Sequence, residues 1–260
     1  MTRQEQLQEF IDNRIARPKG GGRENRLYFV GCLDNGLAIK EPRGTTGAIA
    51  RTLERHKHIK DVAGGLAVPF ELAKTLELDV GRSGMPAEMR TRRLVHNPIV
   101  QQQIAQCDVI SQKLRESCKQ DDVEGINRIL ENVIEFRKKL LQLGILFIDP
   151  LPNNLALIDE DIKLLDISAA DVYSRDFIIA VNGTFLMNKL GPIINIFAYR
   201  WALTLKIVRA MGKEWRIFKT GMSDFHNPAF LEKTLPSRRA IRDRLSGKTK
   251  VPDVTFSIQD

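Results

Sequence analysis

The sequence predicts an α+β protein with a small β-rich N-terminal part and a larger, mainly helical remainder. Three observations predict it. Residues 26–41 place two short apolar runs, Arg26–Cys32 and Leu37–Glu41, on either side of an Asp34-Asn35-Gly36 turn, the pattern of a hairpin. Residues 123–143 set Ile126, Ile129, Leu130, Val133, Ile134, Leu140 and Leu141 largely on one stripe, the pattern of a buried helix. Leu155–Ile158 and Ile162–Leu165 then flank the polar turn Asp159-Glu160-Asp161, a second hairpin.

In chain order, residues 2–12 carry Leu7, Phe10 and Ile11 at helical spacing, and three consecutive glycines, Gly20, Gly21 and Gly22, loosen the backbone after them. Such a run lets backbone N–H groups approach an anion, and it equally serves as a flexible connector. Lys40 sits in the second strand of the first hairpin. Residues 45–62 predict a helix capped near Thr45-Thr46, with Ile49 stacked on Leu53 and Glu54 the one carboxylate before Asp61. Leu66–Leu78, with Pro69 inside it, and the loop containing Gly81, Ser83, Gly84 and Pro86 read as a strand and a connector between two lobes. Residues 98–118 read as a helix, and Gly144 stops the helix of 123–143. Residues 177–219 predict two or more apolar helices, with Trp201 and Trp215 packed in or near the core.

At 260 residues, 43% of them apolar, the chain is long enough for a sizeable core. Its net charge of +8 favours anionic partners. Ser237 to Lys250 holds six Lys or Arg and one Asp, so this stretch alone, at +5, supplies more than half of the excess and reads as a solvated, flexible terminus. Cys32, Cys107 and Cys118 are odd in number and lack metal-ligand spacing, which predicts neither a disulfide framework nor a zinc site and fits a reducing cytoplasm. His56, His58, His96 and His226 show no ligand spacing either. The polar start, Met1 to Gln8, lacks a secretory pattern, and Leu190 to Val208 is too interrupted by polar residues to span a membrane.

Chemistry concentrates at the base of the second hairpin, where pairing of its strands brings Asn154 and Asp166 to one end. An amide oxygen beside a carboxylate suits a hard cation such as magnesium, which keeps waters and phosphate oxygens as its other ligands. Asp149, before Pro150, is left free of metal. The bland alternative is a polar-tipped hairpin whose carboxylates face solvent.

Asp149, Asn154 five residues later and Asp166 after a hairpin resemble the catalytic loop and metal-binding segment of the protein-kinase-like superfamily. Pro152 falls at the loop proline. Phe147 stands where many members have His, and Asp166-Ile167-Ser168 replaces Asp-Phe-Gly. Leu-Leu-Asp-Ile-Ser and the Asp-Pro loop start look more like bacterial lipopolysaccharide-core (heptose/Kdo) kinases and PhoP regulatory network kinase-like proteins than like eukaryotic protein kinases. The resemblance implies a bilobal kinase-like fold: an N-lobe over 1–78, a helical C-lobe over 79–235 and a basic tail over 236–260. It implies ATP and Mg2+ as cofactors, Asp149 as the group that orients or deprotonates an acceptor hydroxyl, and Asn154 and Asp166 as metal ligands. It further implies Gly20, Gly21, Gly22 and Lys40 against the phosphates, with Glu54 holding Lys40. On the residues alone, Glu54 pairs equally well with Arg51 or His58.

The resemblance implies a kinase acting on a small-molecule, sugar or protein hydroxyl, and the cysteine usage and polar start predict that it is cytoplasmic. Nothing like Ala-Pro-Glu follows Asp166, which favours a small acceptor. The rival is an inactive pseudokinase that uses the cleft or the basic tail to bind a nucleotide or partner. A nucleic-acid-binding role rests on charge alone, because regular interleaving of aromatic and basic residues is missing.

Overall fold

Thr2 opens the chain with a capping box: the Glu5 amide donates to Thr2 Oγ1 at 3.3 Å and the Thr2 amide donates to Glu5 Oε2 at 2.6 Å. Helix α1 (Arg3–Asp12) starts there and buries Leu7, Phe10 and Ile11, the residues its periodicity singles out. In the computed structural model of the chain the described residues are 1–20, 25–32, 36–147, 152–167, 170–182, 224–225, 227–246 and 248. They divide into two units. The first takes Met1–Glu54 and Val68–Ala105, and the second takes Arg55–Ala67 with the described residues from Gln106 onward.

The first unit is a mixed sheet covered by α1. Its strands are β1 (Ala16–Gly20), β2 (Asn25–Val30), β3 (Leu37–Pro42), β4 (Phe70–Leu72), β5 (Thr75–Val80), β6 (Thr91–His96) and β7 (Ile99–Gln102). They lie in the order β4-β7-β3-β2-β1-β5-β6, antiparallel except where β1 meets β5. That parallel pairing is a single rung, Ala16 with Val80, so most of one edge of β5 lacks a strand. Two glutamines of α1 fill it: Gln8 accepts from the Glu77 amide and donates to the Glu77 carbonyl, each at 3.0 Å, and Gln4 accepts from the Lys74 amide. The core joins Leu7, Phe10 and Ile11 to Tyr28, Val30, Leu37, Ile39, Leu76, Leu78, Val95 and Val100. Arg3 adds a forked ion pair to the buried carboxylate of Glu71 on β4, at 2.6 Å for its shortest leg.

The sheet is strongly rolled. Four strand steps separate β3 from β6, roughly 19 Å in a flat sheet, yet Arg93 on β6 donates to Glu41 on β3 at 2.8 Å. Tyr28 and Arg26 of β2 meet the same carboxylate at 3.0 and 3.6 Å.

Helix α2 (Thr46–Ala63) follows β3, with Thr45 Oγ1 accepting from the Ala48 amide as its predicted cap. The division between the units falls within it.

The second unit is mainly helical: the C-terminal half of α2, α3 (Ile110–Lys119), α4 (Val123–Gln142), α5 (Arg175–Asn182), α6 (Pro228–Thr234) and α7 (Arg238–Leu245). Asp122 caps α4, and the face it buries holds the predicted stripe from Ile126 to Leu141 except the half-buried Ile134, together with Phe136 and Arg137. Gly144, at φ 75°, stops the helix. Two short ladders complete the unit, β8 (Ile145–Phe147) with β11 (Ala170–Val172) and β9 (Leu155–Ile158) with β10 (Asp161–Leu164).

Four expectations are corrected. A lobe boundary at residue 78 falls inside β5, whose backbone is committed to β6 over six rungs, and the first unit runs on to Ala105. Leu66–Leu78 and the loop after it are not a single strand and connector: the chain makes β4 and then a β5–β6 hairpin. Residues 98–118 are not one helix, because Ile99–Gln102 is claimed by ladders to β3 on one side and β4 on the other, and α3 begins only at Ile110. The basic tail is not flexible from residue 236, since Ser237 caps α7 and Ile241 buries against the fold. Trp201, Trp215 and most of the helices predicted over 177–219 lie outside the described residues. Among the described residues no helix is long and apolar enough to cross a membrane.

Candidate functional site

Asn154 and Asp166 are brought together by backbone hydrogen bonding at the base of the β9–β10 hairpin. The Asn154 carbonyl accepts from the Leu165 amide at 2.8 Å and from the Asp166 amide at 3.3 Å. Asn154 is thus one rung beyond the last strand pair, Leu155 with Leu164, opposite Leu165, and Asp166 follows Leu165 directly. Asp159 and Glu160 close the other end with φ of 48° and 68°, the double left-handed geometry of a tight hairpin turn. Isolated bridges from Ala67 to Leu164 and from Val109 to Ala156 flank the hairpin on both edges. Lys163 reaches back to the Gly65 carbonyl at 2.7 Å. With Leu155, Ala156, Ile162, Leu164 and Ile167 buried, the strands are fixed while Asn154 and Asp166 stay half-exposed at the end.

Lys40 occupies an interior strand, with Leu27 of β2 and Ile99 of β7 as its rung partners. Alternation puts it on the face opposite Ile39 and Glu41, away from the side packed by α1. Gly20 is also paired with Leu27, after a register shift between Pro18 and Gly20, so Gly20, Leu27 and Lys40 form one row across three strands. Glu54 is exposed, and among the described residues it makes no ion pair with Lys40, Arg51 or His58. Gly21, Gly22 and Asp149 lie outside the described residues.

Two charged groupings escaped the sequence reading. His58 Nδ1 and Arg55 Nε of α2 approach the two carboxylate oxygens of Asp171 on β11 at 3.5 and 3.7 Å. Burial, and then the Asp171 charge, pushes the neighbouring Tyr173 hydroxyl up. Arg137 of α4 is buried with its guanidinium 4.7 Å from the centre of the Phe225 ring, and burial lowers it to about 10. The helical periodicity that marks α4 gives no sign of either, because contacts between distant segments have no sequence spacing. Among the described residues no group of three or more His, Cys, Asp or Glu side chains could hold a metal.

No protein-family model matches the chain, and no curated protein matches it. Among solved structures it is similar to one described as the crystal structure of a Stt7 homolog from Micromonas algae soaked with ATP, at 15% sequence identity and a TM-score of 0.44. The match covers 60% of this chain and 49% of that one, so this chain spans about half the length of the protein it matches. At such values function has to be read from the chain's own residues.

Proposed function

We propose that the protein is an ATP-dependent phosphotransferase of the protein-kinase-like type, with a hydroxyl group as acceptor. The observation that supports the reading is the double hydrogen bond from the Leu165 and Asp166 amides to the Asn154 backbone carbonyl, which holds the backbones of Asn154 and Asp166 together at one hairpin end. Their side chains carry hard oxygen donors of the kind that fit magnesium. Asn154 and Asp166 would hold that ion. Bound ATP supplies the transferable phosphoryl group, and magnesium offsets the charge of its phosphates. Lys40 would neutralise phosphate charge beside backbone N–H groups of the Gly20–Gly22 run, and Asp149 would orient the acceptor hydroxyl and take its proton. Rate acceleration would come from positioning and electrostatics. The sequence after Asp166 favours a small acceptor, such as a sugar hydroxyl.

A second reading, a nucleotide- or partner-binding module without turnover, is favoured by one observation. Glu54 is exposed and does not hold Lys40. Calorimetry with ATP separates the readings when combined with a turnover assay. Binding that needs magnesium, drops at least tenfold in Asp166→Ala or with chelator, and accompanies phosphoryl transfer or slow ATP hydrolysis supports the enzyme. Magnesium-independent binding of equal strength in Asp166→Ala removes it.

A further inference from the structure

Helix α7 breaks a local rule of helix design. Its first two residues are Arg238 and Arg239, placed at the positive end of the helix dipole where acidic residues are favoured, and its first turn holds no acid at all. Ser237 caps it and Ile241 anchors it, with Ile241 Cγ1 3.0 Å from the Cβ position of Gly144, so the helix is docked on the fold and not free in solution. Arg244 turns inward to the Gln142 carbonyl at 3.2 Å. On the 100° wheel Arg238, Arg239, Arg242 and Leu245 fall on one side, all four exposed, with Asp243 outside that arc. Arg239 and Arg242 make no ion pair among the described residues. Arg238 reaches Asp176 at 2.8 Å, the residue next to Phe177, itself 45% exposed. Leu245 is 40% exposed.

We propose that this face of α7 is a docking surface for an anionic phospholipid bilayer. From Ser237 to Lys248 the chain carries five basic residues and one acid, a net +4. Guanidinium groups offer forked donors to phosphate oxygens, and an anion at the helix N-terminus also relieves the unfavourable placement of Arg238 and Arg239. A row of exposed arginines accompanied by large exposed apolar side chains matches the headgroup and acyl boundary of a membrane, where the charges meet phosphates and Leu245 and Phe177 enter the apolar edge. The surface is an interfacial anchor that would hold the protein at a bilayer without spanning it.

The test is co-sedimentation of the full chain with vesicles of phosphatidylcholine alone and of phosphatidylcholine mixed with phosphatidylglycerol. The chain should bind the mixed vesicles and not the neutral ones, and binding should fall as salt rises. Changing Arg238, Arg239 and Arg242 together to Gln should weaken partitioning on the order of a hundredfold. The pair Arg239→Gln and Arg242→Gln, which keeps the Arg238–Asp176 contact, should weaken it by a smaller factor at an unchanged melting temperature. Leu245→Ser with Phe177→Ser should weaken it without altering the salt dependence. Equal binding to both vesicles, full retention by the triple variant, displacement by inorganic phosphate well beyond that of sodium chloride at the same ionic strength, or tighter binding of single-stranded DNA that competes with the vesicles would each overturn the proposal.

Discussion

Gly20 and Lys40 share Leu27 as their cross-strand partner, so the end of the first strand and the lysine of the third stand in one row of the sheet. Adjacent strands are about 4.8 Å apart, which separates the two backbones by roughly 10 Å. A phosphate chain cradled by the glycine run would then come within reach of a lysine side chain. Lys40→Met is expected to weaken ATP binding or turnover at least tenfold while leaving the melting temperature within a few degrees, because the position is half-buried and not part of the α1 core. Glu54→Gln should leave both nearly unchanged, since Glu54 is exposed and does not hold Lys40. If Glu54→Gln cripples turnover as Lys40→Met does, the two residues pair in the nucleotide-bound state.

The hairpins were legible in the sequence because period-two alternation and turn residues are local signals. Leu37–Glu41 and Leu155–Ile158 were placed within a residue by them, as was the long stripe of α4 by its 3.6-residue period. The β5–β6 hairpin was not legible. Its strand Thr75–Val80 follows β4 after two residues and reads as the same apolar segment, while Thr91–His96 carries two arginines whose partners, Glu41 and Glu77, lie far away in sequence. Helix α7 was masked by its own charge: four arginines read as a solvated tail, and only the packing of Ile241 on Gly144 makes it part of the fold. At the site, the closeness of Asn154 and Asp166 followed from pairing logic alone. The exposure of Glu54 did not, because its helix face is set by tertiary packing.

Glu41 gives the rolled sheet a pH dependence. Burial alone would push its carboxyl up, but hydrogen bonds from Arg93 and Tyr28, with the charges of Arg93 and Arg26, outweigh it and hold the group below its ordinary value of 4.5. A carboxylate depressed in the folded state contributes stability that is present above the unfolded-state value and lost as pH falls through the folded one. Wild-type melting temperature should therefore drop more steeply than that of Glu41→Gln as pH falls below 4.5. At neutral pH Glu41→Gln should be less stable by about 1–3 kcal/mol, since it weakens the Arg93 contact that closes the roll. Parallel pH profiles for the two proteins would show that the latch contributes nothing.

Gly144 couples the end of α4 to α7. Its φ of 75° disfavours any Cβ, and a Cβ there would stand 3.0 Å from Ile241 Cγ1. Gly144→Ala should lower stability by about 1–2 kcal/mol, read as a fall in melting temperature. Ile241→Val in the same chain, which removes Cδ1 at 3.3 Å but keeps the γ carbon at 3.0 Å, should recover only a fraction of that loss. Full recovery would mean the backbone conformation costs nothing.

Asp149 decides between enzyme and binding module, because in the proposed site it is the residue that touches the acceptor and not the metal. Asn154 lies five residues on, and Pro150 follows Asp149 directly. A carboxylate there can accept a proton from the attacking hydroxyl, whereas the amide of Asp149→Asn keeps the size and loses the basicity. Turnover should fall by about two orders of magnitude or more, the scale of a positioned general base. Binding of ATP with magnesium should stay within a factor of about two, because the groups proposed to hold them, Lys40, Asn154 and Asp166, are untouched. The two measurements must diverge for the role to stand. A variant that turns over as fast as wild type would remove Asp149 from the chemistry, and a wild type that binds magnesium-ATP yet neither hydrolyses it nor transfers its phosphate would favour the binding module.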